Sequence, residues 1–493
     1  MGINPRLLLK FLLVSALVCS FGTGVVYARF QHTIPHYLVA DSLLAAGIEH
    51  FSDGKYEVAE ATFDRVLNEF QPNRATTTSI LFAAKSAYRL GKFERTRTYL
   101  NGFAGNYGSS SYVEEARQLD GLSYEAIKYE TSKGPSLGLI FSLSRDESKQ
   151  TQEIFNGVRV AVDKFNNDQT KRPIRMIFRD IDGGAGAARR AVQELVDEGV
   201  SVIIGTLFSE EALAAAEEAE RLKIVFVAPL ATDDHLVTNR TFTFQANPSM
   251  QARGAAMARF AMNGLRLDSI AVVLATDDRK ISERQADGFL EEASRLGMTI
   301  RMVSVLESES QLFRLAEVLP PDTLDQAQAI YIPLASRNPV GAAGAILSNL
   351  DRMNPNIRVI GNEGWQDLPQ KSHASAYLTT YGDEFWMDRK EAGFLSFEKS
   401  FKALAKAEPG RLGVTGFDVT QYVLEILDQQ AGLDRLDNSE ILLGSDGQLK
   451  LVEAFKSHAE FQGLGLRIHF DGWHVNQTLF YHRYKDNELT LIR

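Results

Sequence analysis

Two hydroxyl side chains follow predicted β-strands at the points where the chain turns into helices. Ser209 comes after the apolar run 200–204, and Thr232 comes after the run 224–227. In an open α/β sheet a ligand binds beyond the carboxyl ends of the strands, where helix N-termini point unpaired N–H groups at an anion. Both residues are therefore candidates for binding an anionic group, while helix capping is the more common role of Ser and Thr at such turns.

Motifs typical of catalysis or of metal binding are missing from the sequence. It contains neither a Gly-x-Ser-x-Gly nucleophile elbow nor a phosphate-binding loop that ends in Gly-Lys-Ser/Thr. The glycine-rich residues 184–189 resemble a dinucleotide fingerprint but lack its third glycine, and the nine histidines show no zinc-binding spacing. We therefore expect a protein that is not an enzyme and that holds no cofactor and no metal.

The composition is typical of a soluble globular protein, with 44% hydrophobic and 24% charged residues. A chain of 493 residues is long enough for about three compact units. The 53 basic and 63 acidic residues give a formal net charge of −10. Because nucleic-acid binding depends on basic side chains that neutralise phosphates, this charge argues against a nucleic-acid partner.

The N-terminus has the pattern of an export signal. Arg6 and Lys10 precede an apolar stretch, residues 11–28, that ends in the small residue Ala28. This pattern predicts a signal peptide at residues 1–28, with an uncleaved membrane anchor as one alternative and acylation of Cys19 as another. The protein is thus expected to be exported to the periplasm or another extracytoplasmic space. Cys19 is the only cysteine, so we expect no disulfide in the mature chain.

Residues 31–130 have helical periodicity and contain an internal repeat. The motif Gly54-Lys55-Tyr56 recurs as Gly91-Lys92-Phe93, and each copy follows a predicted helix that contains small residues. The glycine would end one helix, and the aromatic residue would pack between the two helices of a hairpin. The pattern resembles tetratricopeptide repeats, which bind extended peptides or docking partners. A stabilising spacer or an oligomerisation arm is the alternative role.

From residue 134 to residue 493 short β-rich runs alternate with predicted helices, which is typical of parallel α/β sheets. The runs predicted as strands are 137–143, 174–179, 200–204, 224–227, 270–274, 299–305, 329–332 and 357–360. Two successive Rossmann-like lobes are predicted, and residues 244–248, which end in a proline, should join them. The expected architecture is therefore an α/β unit of two lobes preceded by an all-α helical-repeat domain.

Over about residues 134–485 the sequence resembles the leucine/isoleucine/valine-binding family of type I periplasmic binding proteins. The resemblance rests on blocks that follow one another in the family's order. These are residues 139–144, 156–166, 180, 203–209, 228–232, 361–365, 416–419, 463–465 and 470–471. The family resemblance implies two lobes joined by a hinge, with a small ligand bound in the cleft between them.

The resemblance also implies roles for individual residues. Family residues at the positions of Ser209 and Thr232 bind the carboxylate of an amino-acid ligand, and the acid at the position of Glu363 meets its ammonium group from the opposite lobe. Lobe closure about the hinge would bury this zwitterion between matched charges. The other cleft positions implied by the resemblance are Ser142, Ser144, Thr206, Leu230, Ala231, Asp277 and Trp365.

Two loops depart from the family pattern. Residues 277–282 read Asp-Asp-Arg-Lys-Ile-Ser, where the family usually has an aromatic residue that lines the cleft. Residues 145–149 are mostly charged, where small and aromatic residues are usual. These departures are consistent with a different ligand, or with none.

Two functions are therefore considered. The first is an extracytoplasmic solute-binding protein that captures an amino acid or a similar small polar ligand for an ABC transporter or a sensor in the membrane. The alternative is a non-catalytic envelope regulator that binds a protein partner, because helical repeats combined with this fold resemble the activators of penicillin-binding proteins. The charged loops favour the alternative. The activators are outer-membrane lipoproteins, so the poor lipoprotein signal at Cys19 disfavours it.

Overall fold

A computed structural model describes residues 34–129, 134–142, 148–181, 184–319, 324, 326–353, 356–433 and 444–492. The predicted signal segment 1–28 and the candidate site residue Ser144 lie outside these residues. Within the described part of the chain, no helix is both long enough and apolar enough to cross a membrane. The chain divides into two compact units, Met1–Asp120 and Gly121–Arg493.

The first unit is helical. Its helices are α1 (Leu38–Ser52), α2 (Tyr56–Glu69), α3 (Thr76–Arg89), α4 (Phe93–Leu100), α5 (Phe103–Asn106) and α6 (Val113–Lys128), the last of which continues into the second unit. Gly54 and Gly91 have φ values of 76° and 67°, and each follows the end of a helix, as the repeat predicts. A Cβ atom at Gly47 would lie 2.5 Å from the ring of Phe63, so this glycine lets α1 and α2 pack closely.

The helices predicted for residues 31–130 are thus present between residues 38 and 128. A polar contact also joins the two copies of the repeat, because Glu60 on α2 accepts a hydrogen bond of 2.9 Å from Lys92. Membership in the tetratricopeptide class stays a prediction.

The first lobe of the second unit is a parallel five-stranded sheet flanked by helices. Its leading elements are β1 (Ser136–Phe141), α7 (Ser148–Asn166), β2 (Arg175–Asp180), α8 (Ala185–Asp197), β3 (Val202–Gly205), α9 (Ser209–Leu222), β4 (Val225–Ala228) and β5 (Thr243–Gln245). The strand order is β2-β1-β3-β4-β5. The carboxyl ends of β1, β3 and β4 therefore lie side by side, and they carry the predicted anion-binding turns.

The second lobe has a larger sheet. Its first elements are α10 (Met250–Arg259), a π-helix (Phe260–Gly264), β6 (Ser269–Ala275), α11 (Ile281–Arg295), β7 (Thr299–Leu306), a 3-10 helix (Glu309–Arg314), α12 (Leu315–Val318), β8 (Ala329–Ile332), α13 (Pro339–Met353), β9 (Arg358–Gly361), a 3-10 turn (Glu363–Trp365), α14 (Lys371–Ala376) and β10 (Thr380–Asp383). Within the seven-stranded sheet these five strands have the order β10-β9-β8-β6-β7, and two later strands continue the sheet beyond β10.

The chain then returns to the first lobe and crosses back once more. The remaining elements are α15 (Ala392–Ala405), α16 (Arg411–Leu433), α17 (Ser445–Ser457), β11 (Phe461–Gln462), β12 (Arg467–Ile468), β13 (Phe480–Lys485) and β14 (Glu488–Ile492). Helices α15 and α16 pack on α7 of the first lobe, while β13 pairs antiparallel with β10 of the second. All eight runs predicted as strands are strands in the structure, and the two-lobed α/β prediction is confirmed.

Segments that cross between the lobes are hydrogen-bonded to one another and form the hinge. The first crossing follows β5, where the sequence predicted it, and Gln245 donates its N–H to the carbonyl of His474 over 2.8 Å. The buried Asn476 donates its side-chain amide to the carbonyls of Ala246 and Arg467, at 2.9 and 2.7 Å. The second crossing follows β10. In this segment the N–H of Trp386 donates a hydrogen bond of 3.0 Å to the carbonyl of Gly465, shortly before β12.

Each lobe contains a helix pair that packs backbone against backbone through glycines. In the second lobe a Cβ atom at Gly254 on α10 would lie 1.9 Å from the carbonyl oxygen of Gln285. In return, a Cβ atom at Gly288 on α11 would lie 2.0 Å from the carbonyl oxygen of Gln251. Gly157 on α7 makes the same kind of approach to Gly413 on α16 in the first lobe. These contacts fix the helices that carry the cleft residues.

We expect Gly254→Ala to lower the free energy of unfolding by about 1–3 kcal/mol, because the added methyl group has no room between α10 and α11. Gly344→Ala in α13 is the matched control, since a Cβ atom there meets no atom within 4 Å. In a helix with open space, this control substitution should raise stability by up to about 1 kcal/mol. Denaturant unfolding of the full chain measures both, and equal stabilities would contradict the packing argument.

Candidate functional site

Residues at the carboxyl ends of β1 and β3 form one side of the candidate site. Ser142 directly follows β1 and is 4% exposed. Thr206 is fully buried after β3, and its hydroxyl donates to the carbonyl of Phe208 over 2.9 Å. Ser209 is partly exposed at the first position of α9, and within the described part of the chain its hydroxyl has no hydrogen-bond partner. Of these three residues, Ser209 is the best placed to bind a ligand.

The loop after β4 is held at each of its three predicted site residues. The carbonyl of Leu230 accepts a hydrogen bond from Asn247 at 3.0 Å, and that of Ala231 accepts one from Gln245 at 2.7 Å. Both donors are hinge side chains. These hydrogen bonds position the loop through its backbone at Leu230 and Ala231.

Thr232 faces the second lobe. Its carbonyl accepts a hydrogen bond of 3.0 Å from Arg284 on α11, and Arg284 also pairs with Asp234 in the same loop. The hydroxyl of Thr232 is partly exposed and has no hydrogen-bond partner among the described residues. Thr232, like Ser209, therefore has a free donor and acceptor at the carboxyl edge of the first sheet.

Glu363 lies in the second lobe, in the 3-10 turn that follows β9. Asn362 builds this turn, because its side chain accepts hydrogen bonds from the N–H groups of Gly364 and Leu334, at 3.2 and 2.9 Å. The Glu363 side chain is 36% exposed, and its carboxylate accepts a hydrogen bond from Arg253 at 3.3 Å. Burial raises the pKa of Glu363 above its ordinary value, although Arg253 opposes this shift.

Arg253 on α10 is a central residue that the sequence reasoning missed. It is 6% exposed, and its guanidinium donates to the carbonyl of Pro248, to Asn247 and to the carboxylates of Glu363 and Glu384. The bond to Glu384 is the shortest of these, at 2.8 Å. The only sequence signal was a single cation within a run of small residues, 252–258.

Glu384 connects the two lobes through a buried carboxylate. Besides Arg253 it binds Arg411, which begins α16 in the first lobe. Burial alone would raise the pKa of Glu384, but the two guanidinium groups lower it below its ordinary value. At the neighbouring Asp383, burial and then the charge of Glu384 raise the pKa to about 7. The acid next to the two arginines is therefore the charged member of this adjacent pair.

Two predicted site residues have contacts that support the fold. Trp365 is fully buried, donates its indole N–H to the carbonyl of Ile332 over 2.9 Å, and presents no surface to a ligand. Asp277 accepts hydrogen bonds from the N–H groups of Arg279 and Ser282, at 3.0 and 2.9 Å, and so organises the turn that begins α11. The turn borders a cavity of ≈ 570 Å³ at the carboxyl ends of β6 and β8.

The arrangement offers hydroxyl groups and charged groups for binding. Among the residues that the structure describes, no group of three or more His, Cys, Asp or Glu side chains could hold a metal ion. The available chemistry is hydrogen bonding by Ser209 and Thr232 on one lobe, opposite the acid–arginine cluster of Glu363, Arg253 and Glu384.

Comparison with known proteins agrees with this fold. No curated protein matches the sequence. Among solved structures, a protein assigned to a branched-chain amino acid ABC transporter from Rhodospirillum rubrum matches with a TM-score of 0.56 and 17% identity, covering 73% of this chain and 100% of its own. A substrate-binding protein from Desulfitobacterium hafniense in complex with Leu has a TM-score of 0.46 and 17% identity, with coverage of 73% and 100%. One from Sphaerobacter thermophilus has 0.48 and 16%, with coverage of 73% and 96%.

A family profile described as periplasmic binding protein matches residues 136–480. This match includes the first sheet, strands β6 to β10 of the second sheet, the hinge and the described residues of the candidate site, and it spans well over half of the chain. The chain belongs to the periplasmic binding protein family.

Proposed function

We propose that the two-lobed unit captures a small polar solute, an amino acid or a similar molecule with an anionic group, in the cleft between its lobes. The protein would deliver this solute to an ABC transporter or a sensor in the membrane. Membership in the periplasmic binding protein family supports a solute-binding role without catalysis. The ligand identity and the partner are part of the proposal.

A continuous chain of polar contacts carries the proposal. Glu363 in the second lobe binds Arg253, Arg253 binds Asn247 in the hinge over 3.2 Å, and Asn247 binds the carbonyl of Leu230 in the first lobe over 3.0 Å. The acid and the anion-binding loop are thus linked through the hinge. A ligand that touches both lobes would act on the same contacts that set the angle between them.

The free hydroxyls of Ser209 and Thr232 supply the second argument. Both lie at the carboxyl edge of a parallel sheet, where α/β proteins bind ligands. Ser209 is the first residue of α9 and is not its cap, so the common structural role of such a residue does not account for it. A carboxylate bound here would accept hydrogen bonds from the two hydroxyls and from N–H groups of α9.

An extracytoplasmic location completes the proposal. It agrees with the family, and residues 1–28 would serve as the signal peptide or as an N-terminal anchor. The helical unit would bind a protein partner, in keeping with the resemblance of its repeats to docking modules.

The envelope regulator is the second candidate. Ion pairs among the candidate site residues and exposed cations nearby favour it. Arg253 pairs with Glu363, and Arg284 of the second lobe pairs with Asp234 of the first. Arg279 and Lys280 are exposed where the family has a cleft aromatic. In this alternative, the second unit would bind a protein and no small solute.

A ligand panel distinguishes the two functions. We expect one class of amino acid, hydroxy acid or polyol to raise the melting temperature of the full chain, because a ligand at about 100 times its Kd adds about 2.7 kcal/mol to the native state. Thermal unfolding measures this rise. A flat panel with protein shown to be folded by circular dichroism would contradict the solute-binding role and favour the envelope regulator.

The hydroxyls of the first lobe provide a sharper test. A hydrogen bond to a charged group contributes about 1.5–3 kcal/mol, so we expect Ser209→Ala and Thr232→Ala each to raise the Kd of a ligand found in the panel by about 10- to 100-fold. Titration calorimetry measures both. Ser400→Ala, at an exposed position of α15, is the matched control and should bind normally. An unchanged Kd in the double variant would exclude these residues from the site.

A further inference from the structure

We infer that the cleft selects small carboxylates that carry a neutral hydroxyl in place of an ammonium group, such as 2-hydroxy acids, because Arg253 already occupies the charge of Glu363. This inference rests on the proposed solute-binding function and narrows its ligand class. A family member that binds a zwitterion needs an acid free to meet the ammonium group. Here the guanidinium of Arg253 takes that place.

The bonds of Arg253 show that it is a built part of the cleft. Its guanidinium is bound on every side, with Nε at 3.1 Å from the carbonyl of Pro248 and Nη2 at 3.2 Å from Asn247. Nη1 lies 2.8 Å from Glu384 and 3.3 Å from Glu363. A side chain with only 6% exposure and four acceptors cannot turn into solvent without breaking four hydrogen bonds.

The backbone under Arg253 is fixed as well. Gly254, the next residue, packs against the carbonyl of Gln285 so closely that α10 cannot slide past α11. Removing the guanidinium from the cluster would also leave the buried Glu384 with only Arg411 as a cationic partner. The positive charge at the Glu363 position is therefore a constant feature of the binding surface.

The charged groups of this cluster account for the expected ligand preference. Glu363 is already paired with Arg253, and Glu384 is paired with both Arg253 and Arg411. A ligand ammonium group would add a positive charge beside Arg253 in a partly desolvated site, where like charges repel strongly. A hydroxyl adds no charge and can donate a hydrogen bond to the exposed part of the Glu363 carboxylate.

Matched ligand pairs test the inference on the full chain. The probes are L-leucine with L-2-hydroxyisocaproate, L-alanine with L-lactate, and L-phenylalanine with L-phenyllactate, which differ only in an ammonium or a hydroxyl group. We expect at least one hydroxy acid to raise the melting temperature and to bind at least tenfold more tightly than its amino partner. An amino acid that binds as well as or better than its hydroxy partner would overturn the inference and leave the solute-binding function standing. If none of the six probes binds the folded protein, the result would contradict both the inference and the solute-binding function.

Arg253→Gln then tests the cause of the preference. Glutamine keeps a side chain that can donate hydrogen bonds but removes the charge, so the ratio of hydroxy-acid to amino-acid affinity should fall at least tenfold as Glu363 becomes available. Arg253→Lys, which keeps the charge, should retain the preference and serves if the glutamine variant does not fold. Arg295→Gln, at a side chain that is 67% exposed on α11, controls for loss of a cation elsewhere. A preference unchanged in Arg253→Gln would assign Arg253 a merely structural role.

Discussion

The buried carboxylate of Glu384 holds the cleft together, because it lies between guanidinium groups from both lobes. Arg253 reaches it from α10 and Arg411 reaches it from α16. Buried ion pairs add little net stability, but loss of one partner leaves an uncompensated charge and destabilises a protein by about 3–5 kcal/mol. The ion pair with Glu384 therefore holds the side chain of Arg253 in place, and Arg253 in turn pairs with Glu363. The charge next to Glu363 therefore depends on the buried ion pair between Arg253 and Glu384.

The hinge also supports the opposite wall of the cleft. Gln245 and Asn247 are hinge side chains, yet both bind carbonyls of the loop that carries Thr232. A change in the angle between the lobes would alter these hydrogen bonds, and a ligand that pulled on the loop would alter the hinge. In the proposed function, these few short contacts would couple ligand binding to closure of the lobes.

More of the fold than of the site could be predicted from the sequence. The elements of the fold depend on neighbouring residues, whereas the site depends on contacts between residues far apart in the chain. Strands such as β3 and β8 are short apolar runs, and the glycines that end α1 and α3 recur at a fixed spacing, so local pattern identifies them. The pairing of Arg253 with Glu363 and Glu384 joins residues more than a hundred positions apart. No local pattern contains that information.

Two residues of the predicted site illustrate the same limit. Trp365 and Asp277 stand in loops that the family uses for ligands, and their positions in the chain are as predicted. Their side chains are nevertheless used by the fold, one in the core of the second lobe and the other at the start of α11. Whether a side chain faces the cleft or the core depends on packing, which a single sequence does not specify.

The reciprocal approach of Gly254 and Gly288 has a consequence for how such a receptor can diversify. Because α10 and α11 touch through backbone atoms, neither helix can be shifted or enlarged without disturbing the other. A change of ligand would therefore have to arise through exchange of side chains on a fixed frame. The locked helix pair confines adaptation to chemistry and leaves the geometry of the lobe unchanged.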